Sequence, residues 1–495
     1  MTRFVCIHGH FYQPPRENPW LEAIPCQESA YPFHDWNERI HTECYAPNAQ
    51  ARILDEKGVV TETVNNYSRI SFDFGPTLLS WLESKAPDTY QAVLDADQIS
   101  RKKFSGHGSA MAQCYSHMIM PLANSRDKYT QVYWGIRDFE SRFKRLPEGM
   151  WLPETAVDLE TLDIMADSGI LFTILAPHQA GKLLTPEGKT GQESELDIYR
   201  PYRIKLQAER SINLFFYNGS LSQSMAFENL LRDGKSFAEK LMQMDVSDGP
   251  QLLSVATDGE TYGHHHKFGD MALAFALRYI DSHSDARLTN FAEYLEKFPP
   301  QEEIKINERT SWSCAHGIAR WSIHCGCETG GHPEWRQNWR APLRHALDWL
   351  QGIADTIFTE ISMPLIKDPW RARNRYINIL MNQCGRDTFL EEESRRGLDK
   401  SEKVIVLKLL ELQRNSMLMY TSCGWFFNDV SGIETEQVLL YAGRVIQLAE
   451  ELSGDALEPY FLQLLELAAS NVPEKGNGAL IYKNVVKKAT MDLPA

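Results

Sequence analysis

Leu252-Leu253-Ser254-Val255-Ala256-Thr257-Asp258-Gly259-Glu260-Thr261-Tyr262-Gly263-His264-His265-His266 is the stretch from which the fold can be read. An apolar run that stops at an acid-Gly-acid turn and three histidines reads as a buried parallel strand whose carboxyl end projects polar groups into a cleft. Barrel enzymes place their chemistry at that end of their strands. A period of two carried through the turn sets Asp258 and Glu260 on one side, with Gly259 letting the chain bend.

The same pattern recurs on either side of it. Phe4-Val5-Cys6-Ile7 runs into His8-Gly9-His10-Phe11-Tyr12-Gln13-Pro14, and Ser71-Phe72-Asp73-Phe74 into Gly75-Pro76. Residues 170–176 end in Pro177-His178-Gln179, and 212–217 in Asn218-Gly219-Ser220. Helical patterns over 77–83, 133–143, 159–168 and 270–277 fall between these runs, the first opened by Pro76. Strands alternating with helices predict a parallel, barrel-like α/β domain. From about residue 340 the pattern is helix only, over 345–357, 371–382, 403–414, 435–452 and 457–469, which predicts a helical bundle. The expected organisation is a catalytic barrel over 1–305, a Trp/Cys/His-rich loop walling the cleft over 306–340, and a bundle over 341–495. Residues 16–70 read as a long loop roofing a site. Residues 184–200 read as an exposed excursion, and the tail after Val472 only as polar.

The second chemical stretch is Pro147-Glu148-Gly149-Met150-Trp151-Leu152-Pro153-Glu154-Thr155-Ala156. Its prolines make a poor strand or helix interior and a good rigid loop, and a carboxylate beside a Trp suits sugar chemistry. The competing reading makes Glu154 an acid in the first turn of a following helix. Two carboxylates from separate strand ends suit glycosidic bond cleavage when they lie roughly 5–5.5 Å apart. On this reading Glu154 is the nucleophile and Asp258 the proton shuttle. His8 and His10 are open to three readings: a metal pair, a pair on substrate hydroxyls, or strand-end packing. His107, in Gly106-His107-Gly108, reads as a further group facing the cleft.

Composition narrows the partners. The chain has 495 residues and a net charge of −15, and no long Lys/Arg run offers a phosphate-tracking groove, so nucleic acid is not an expected partner. No run reaches eighteen apolar residues, and the amino-terminal run meets His8-Gly9-His10 too soon for a signal-peptide core, so no membrane partner is expected. Nine cysteines, mostly single, fit reduced thiols in the cytoplasm. Three of them, Cys314, Cys325 and Cys327, share residues 310–339 with His316, His324 and His332. One residue between Cys325 and Cys327 is not the spacing of a zinc ribbon. A structural metal and a disulfide are both weighed there. The favoured reading is a substrate-contacting loop with incidental thiols, Trp312 and Trp321 being its sugar-stacking platforms.

With these pieces placed, the chain resembles glycoside hydrolase family 57, whose members act on α-glucans. His8-Gly9-His10-Phe11-Tyr12-Gln13-Pro14 resembles the family's His-x-His-Gln-Pro with two residues inserted before Gln13. Trp151-Leu152-Pro153-Glu154 is similar to the nucleophile motif. Asp258-Gly259-Glu260-Thr261-Tyr262-Gly263-His264-His265 is similar to Asp-x-Glu-x-Phe-Gly-x-His, with Tyr262 for Phe. Residues 106–122 and 312–321 match two further motifs loosely. The resemblance implies a divergent branch with a seven-stranded (β/α) barrel, a following helical domain and a retaining mechanism on α-1,4-glucan, with neither metal nor cofactor. It places the nucleophile on Glu154 and the acid/base on Asp258; His8, His10, Trp151, Glu260, His264, Trp312 and Trp321 are expected to bind substrate. Two rival readings stand beside it. One is a metal-dependent carbohydrate hydrolase or deacetylase with His8, His10, Asp258 and one of His264 to His266 as ligands. The other is a glycan-binding protein without turnover.

Overall fold

A computed structural model describes residues 3–184, 196–243, 249–283 and 285–491. The chain packs into two compact units. The first holds the residues up to Gln13, Cys26–Gln113 and Phe139–Glu308; the second holds Pro14–Pro25, Cys114–Asp138 and the chain from Arg309 onward. Two segments that the sequence places within the barrel, 14–25 and 114–138, therefore belong to the second unit.

Seven strands frame the barrel of the first unit, β1 (Arg3–Phe11), β2 (Ser71–Phe74), β3 (Ala110–Gln113), β4 (Met150–Trp151), β5 (Phe172–Leu175), β6 (Ser211–Phe216) and β7 (Gln251–Asp258), and a short further strand, Ala286–Leu288, pairs parallel with Arg3–Val5 of β1. β1 lies between β7 and β2, β3 follows β2, and β4 follows β3, every pair parallel. β5 pairs parallel with β6, and a parallel bridge between Gly149 and Phe172 joins β5 to the entry of β4. Just beyond β6, the Asn218 amide donates to the Ser254 carbonyl of β7 at 2.7 Å. Strands consecutive in the chain are thus neighbours, and the last lies beside the first, the order of a singly wound (β/α) barrel. β2, β3 and β5 are buried throughout and β7 everywhere but at Asp258, as a parallel sheet covered on both faces requires.

Helices fill the crossovers where the sequence signals them. Pro76 opens Pro76–Lys85, and the Asp158 side chain caps Leu159–Asp167 by accepting from the Thr161 amide at 2.9 Å. The roofing loop has more structure than its proline content suggests. It contains the helices Trp36–Ile40 and Ala46–Ala49 and a hairpin of Ala51–Leu54 with Val60–Val64. Around the excursion after β5, Tyr202–Lys205 pairs antiparallel with β6 and, at Arg203, parallel with Glu303–Ile306, which in turn pairs antiparallel with Ala180–Leu184; residues 185–195 lie outside the described residues.

In the second unit Arg340–Ser362, Lys400–Leu418, Ile433–Ser453 and Gly478–Ala489 pack together through their apolar faces. The helix expected over 371–382 is two, Pro369–Arg375 and Ile377–Leu380. The polar tail forms the last helix, capped by Asn477 on the Leu480 amide at 3.0 Å. Among the described residues no helix is long and apolar enough to cross a membrane.

Candidate active site

The site begins with the inward side of β1. His8 and His10 share it because strand residues two apart face the same way. In register, His10 lies opposite Asp73 of β2 on one side and Asp258 of β7 on the other. Asp73 holds both imidazoles, with Oδ1 3.0 Å from His8 Nε2 and Oδ2 2.8 Å from His10 Nδ1; His8 Nδ1 lies 3.1 Å from the Ser71 hydroxyl. Burial pulls the His8 pKa below its usual value. Burial acts the same way on His10, but the charges of Asp73, Asp258 and Glu260 outweigh it and lift His10 to about 9. Asp73 is buried too, which alone would raise it, yet the His10 charge and the two hydrogen bonds bring it below the usual range. At neutral pH the layer is therefore a His10 imidazolium on an Asp73 carboxylate, with His8 neutral. The Trp151 indole stacks on both rings, 4.9 Å from His8 and 5.0 Å from His10.

Breaking this pair leaves a buried charge alone, which costs about 3–5 kcal/mol. Asp73→Asn is expected to lose stability by that amount in urea unfolding at pH 7. The pair's contribution fades as pH falls through the lowered Asp73 pKa. It also fades as pH rises from His10's ordinary 6.5 to about 9, so the gap between wild type and Asp73→Asn narrows at both ends. A gap independent of pH would remove the ion pair from the account.

At the end of β7, Asp258 is exposed to solvent on one side and enclosed by protein elsewhere. That enclosure pushes its pKa up to about 6; His10 pulls it down, and the charges of Glu154 and Asp73 raise it. Glu154 and Asp258 thus sense each other across the carboxyl ends of β4 and β7. The strand stops at Asp258, and Gly259–Tyr262 turns tightly, so the alternation does not carry through to Glu260. Glu260 is buried instead, accepting from the Tyr45 hydroxyl and from the Tyr12 amide at 3.3 Å. Burial and the Asp258 charge push it up to about 7. The turn needs Gly259, because a Cβ there would come 2.2 Å from Phe11 Cδ1.

Glu154 does not sit in a helical first turn. It and Thr155 both occupy the left-handed region, at φ 57° and 50°, in a tight turn that precedes the helix capped by Asp158. Two successive non-glycine residues there, one of them β-branched, are strained, and such strain persists only where the surroundings enforce it. Gln179 supplies that enforcement. Its Nε2 donates to the Thr155 carbonyl, and its Oε1 accepts from the Thr155 hydroxyl and the Ala176 amide, each at 2.8 Å. Gln179→Leu is expected to lower kcat by about 10²-fold with a smaller change in KM, since a misplacement of about 1 Å costs that much. Unchanged kcat would show that the turn holds its shape without the clamp.

Several expected substrate contacts are placed elsewhere. His8 is fully buried with both nitrogens engaged, and Trp151 is fully buried with its face on the histidines, so neither presents a surface to a sugar. His264 pairs through Nδ1 with Glu43 and meets the Trp36 ring edge-on. His107 precedes β3 at its amino end and pairs with Glu148 (2.6 Å) and Glu296 (3.0 Å), away from the strand ends that carry the acids. Trp321, in the second unit, is fully buried with its N–H on the Ser422 carbonyl at 3.2 Å and cannot be a platform; Trp312 is half-buried in the same unit. The barrel histidines and Asp258 form no metal-ligand set among the described residues, whereas Cys314, His316, Cys325 and Cys327 do come together, against the expectation of incidental thiols. The described cysteines are all free, so the disulfide reading fails. Asp73 and Tyr45 escaped the sequence reading. Asp73 could have been found as an acid set between two aromatics inside a short apolar strand, Phe72-Asp73-Phe74, whereas Tyr45 lies in the roofing segment and reaches Glu260 only through the tertiary fold.

A parallel barrel whose strand ends gather several carboxyl groups belongs to the class of barrel enzymes with an acidic site at the carboxyl ends of their strands. Within that class the chain belongs to glycosyl hydrolase family 57, whose model matches residues 8–307, and it is a glycoside hydrolase or a transglycosylating relative. A second model, Domain of unknown function (DUF3536), matches residues 335–495. Comparison with curated proteins finds no match. Among solved structures the chain is similar to an exo-type maltose-forming amylase from Pyrococcus sp. ST04, with a TM-score of 0.74 at 15% identity over 99% of this chain and 92% of that one. It is also similar to a family 57 branching enzyme from Pyrococcus horikoshii (TM-score 0.55, 15% identity, 98% and 96% covered). A third is the α-amylase AmyC from Thermotoga maritima (TM-score 0.54, 12% identity, 97% and 99% covered).

Proposed function

We propose that this protein cleaves or rearranges α-1,4-glucan by a retaining mechanism in which Glu154 is the nucleophile and Asp258 the acid and then the base. The observation that carries the reading is the electrostatic coupling of the two groups: Asp258 is raised to about 6, chiefly by burial and in part by the Glu154 charge, so a proton donor that titrates close to neutral pH lies in the field of a second carboxyl group. In the first step a Glu154 oxygen bonds to the anomeric carbon as the glycosidic C–O bond breaks, and the Asp258 proton goes to the departing oxygen. In the second, the Asp258 carboxylate takes a proton from water or a sugar hydroxyl, whose oxygen displaces Glu154. Two inversions retain configuration.

The other groups position this pair. His10, fixed on Asp73, keeps a positive charge beside Asp258, and Glu260, held by Tyr45, offers a second raised carboxyl for a sugar hydroxyl. The structurally similar enzymes named above are amylases and a branching enzyme, which supports an α-glucan as substrate. Free thiols throughout the described residues favour a reducing compartment, the cytoplasm. Incubation with maltoheptaose and with amylose tests the reading, following reducing ends and product lengths together. Hydrolysis raises reducing ends with every bond broken, whereas transfer yields longer and shorter chains with few new ends. Intact substrate in both assays would leave a binding protein.

A further inference from the structure

We propose that Cys314, His316, Cys325 and Cys327 bind one zinc ion in a closed, tetrahedral, structural site that fixes residues 310–340 within the second unit. The four candidate donor atoms all lie within 4.8 Å of one another. Cys314 Sγ is 3.9 Å from Cys325 Sγ and 3.8 Å from Cys327 Sγ, and Cys327 Sγ is 3.5 Å from His316 Nδ1. Zinc bonds of about 2.3 Å to sulfur and 2.0–2.1 Å to nitrogen put two sulfurs about 3.8 Å apart, and a sulfur about 3.6 Å from a nitrogen, around a tetrahedral centre. The cluster already has that size. It is too open for a disulfide, whose sulfurs lie about 2.05 Å apart, and too small for thiolates spread over several irons of an iron–sulfur cluster.

The backbone is shaped for the arrangement. Gly326, at φ +83°, turns the chain so that Cys325 and Cys327 converge from either side of one residue, which is why ribbon spacing is not needed. Gly317, at φ +76°, lets the chain after His316 close on the Arg309 carbonyl, which a Cβ would meet at 2.4 Å. Backbone N–H groups of His316 and Arg320 donate to Cys314, and that of Ala315 to Cys327. Such bonds suit sulfurs carrying charge.

Charge balance is the independent observation. Arg320 and Arg340 are both buried beside the cluster, 4% and 0% exposed. Arg340 donates only to the carbonyls of Cys327 (3.2 Å), Phe426 (3.3 Å) and Phe427 (3.2 Å), and Arg320 to the Glu328 carbonyl (3.4 Å) while lying over the Phe426 ring. Among the described residues no carboxylate pairs with either. Two buried guanidiniums without an anion are costly. A dication bound by three thiolates and a neutral imidazole has net charge −1 and supplies the missing partner. Four protein donors leave no open position, so the ion organises the fold and takes no part in the reaction.

The test uses the full chain, purified under reducing conditions without metal-chelating resin. Elemental analysis is expected to find one zinc per chain. An organomercurial thiol reagent should release that zinc to a chelating dye in step with the blocking of three thiols, without any substitution. Exchange with cobalt should give the intense visible absorption of a tetrahedral thiolate complex. Cys325→Ser with Cys327→Ser should lose the metal, while Cys384→Ser, outside the cluster, keeps it. Zinc below about a tenth of an equivalent after growth in zinc-supplemented medium, full zinc in the double variant, or iron with acid-labile sulfide would each overturn the proposal.

Discussion

Glu154→Gln is expected to lower kcat/KM on maltoheptaose by about 10⁴-fold or more, about 5.5 kcal/mol of transition-state stabilisation, with the fold intact. The amide keeps the shape of the side chain and its hydrogen-bonding reach but cannot form the ester to the anomeric carbon. The diagnostic result is what azide does. In Glu154→Ala, whose shortened side chain leaves room for a small anion, azide attacks from the face the carboxylate would have used, so that variant should form a glycosyl azide of opposite anomeric configuration to that of the natural products. Equal turnover by Glu154→Gln, or rescue of Glu154→Ala with unchanged configuration, would take the nucleophile away from Glu154.

Asp258→Asn is expected to cost about 10²- to 10⁴-fold on α-glucan, the usual worth of a positioned proton donor. Its pH signature is sharper than its size. The donor must be protonated, its pKa in the free enzyme is raised from 3.8 to about 6, and neighbouring Glu260 stands near 7. The alkaline limb of activity should therefore fall as pH rises through about 6 to 7, the limb belonging to the coupled pair rather than to either acid. An aryl glucoside with a good leaving group needs no proton in the first step, so on that substrate the limb should flatten and the Asn variant should keep its burst of released phenol. A variant crippled equally on both substrates would assign Asp258 another role.

How much of this was legible in advance depended on the range of the interactions involved. β7 and β1 announced themselves because a parallel strand buried on both faces is a continuous apolar run, and its end is where polarity returns. The proline-bounded turn around Glu154 was equally local. What sequence missed was set by pairing across strands. Asp73 became the hub of the histidine layer only once β2 lay in register with β1, and the same register turned His8 from a sugar ligand into a buried support. Trp321 showed the converse error. An aromatic in a loop-like, polar stretch reads as a platform, yet its indole is packed away on the Ser422 carbonyl. The Cys325-Gly326-Cys327 spacing misled for a similar reason, since a glycine in a left-handed turn does in one residue what ribbons do in more.

The route of the backbone through the second unit also limits how this protein can be divided. Arg373, on Pro369–Arg375, is sealed against Asp127 at 2.7 Å, and the Trp134 indole donates to the Asn374 carbonyl at 2.8 Å. Both partners come from the stretch 114–138, some two hundred residues upstream of residues 335–495. Excised alone, residues 335–495 would strand the Arg373 cation in a greasy interior. Chimeras that swap only the distal portion between relatives should accumulate as insoluble product unless residues 114–138 travel with it.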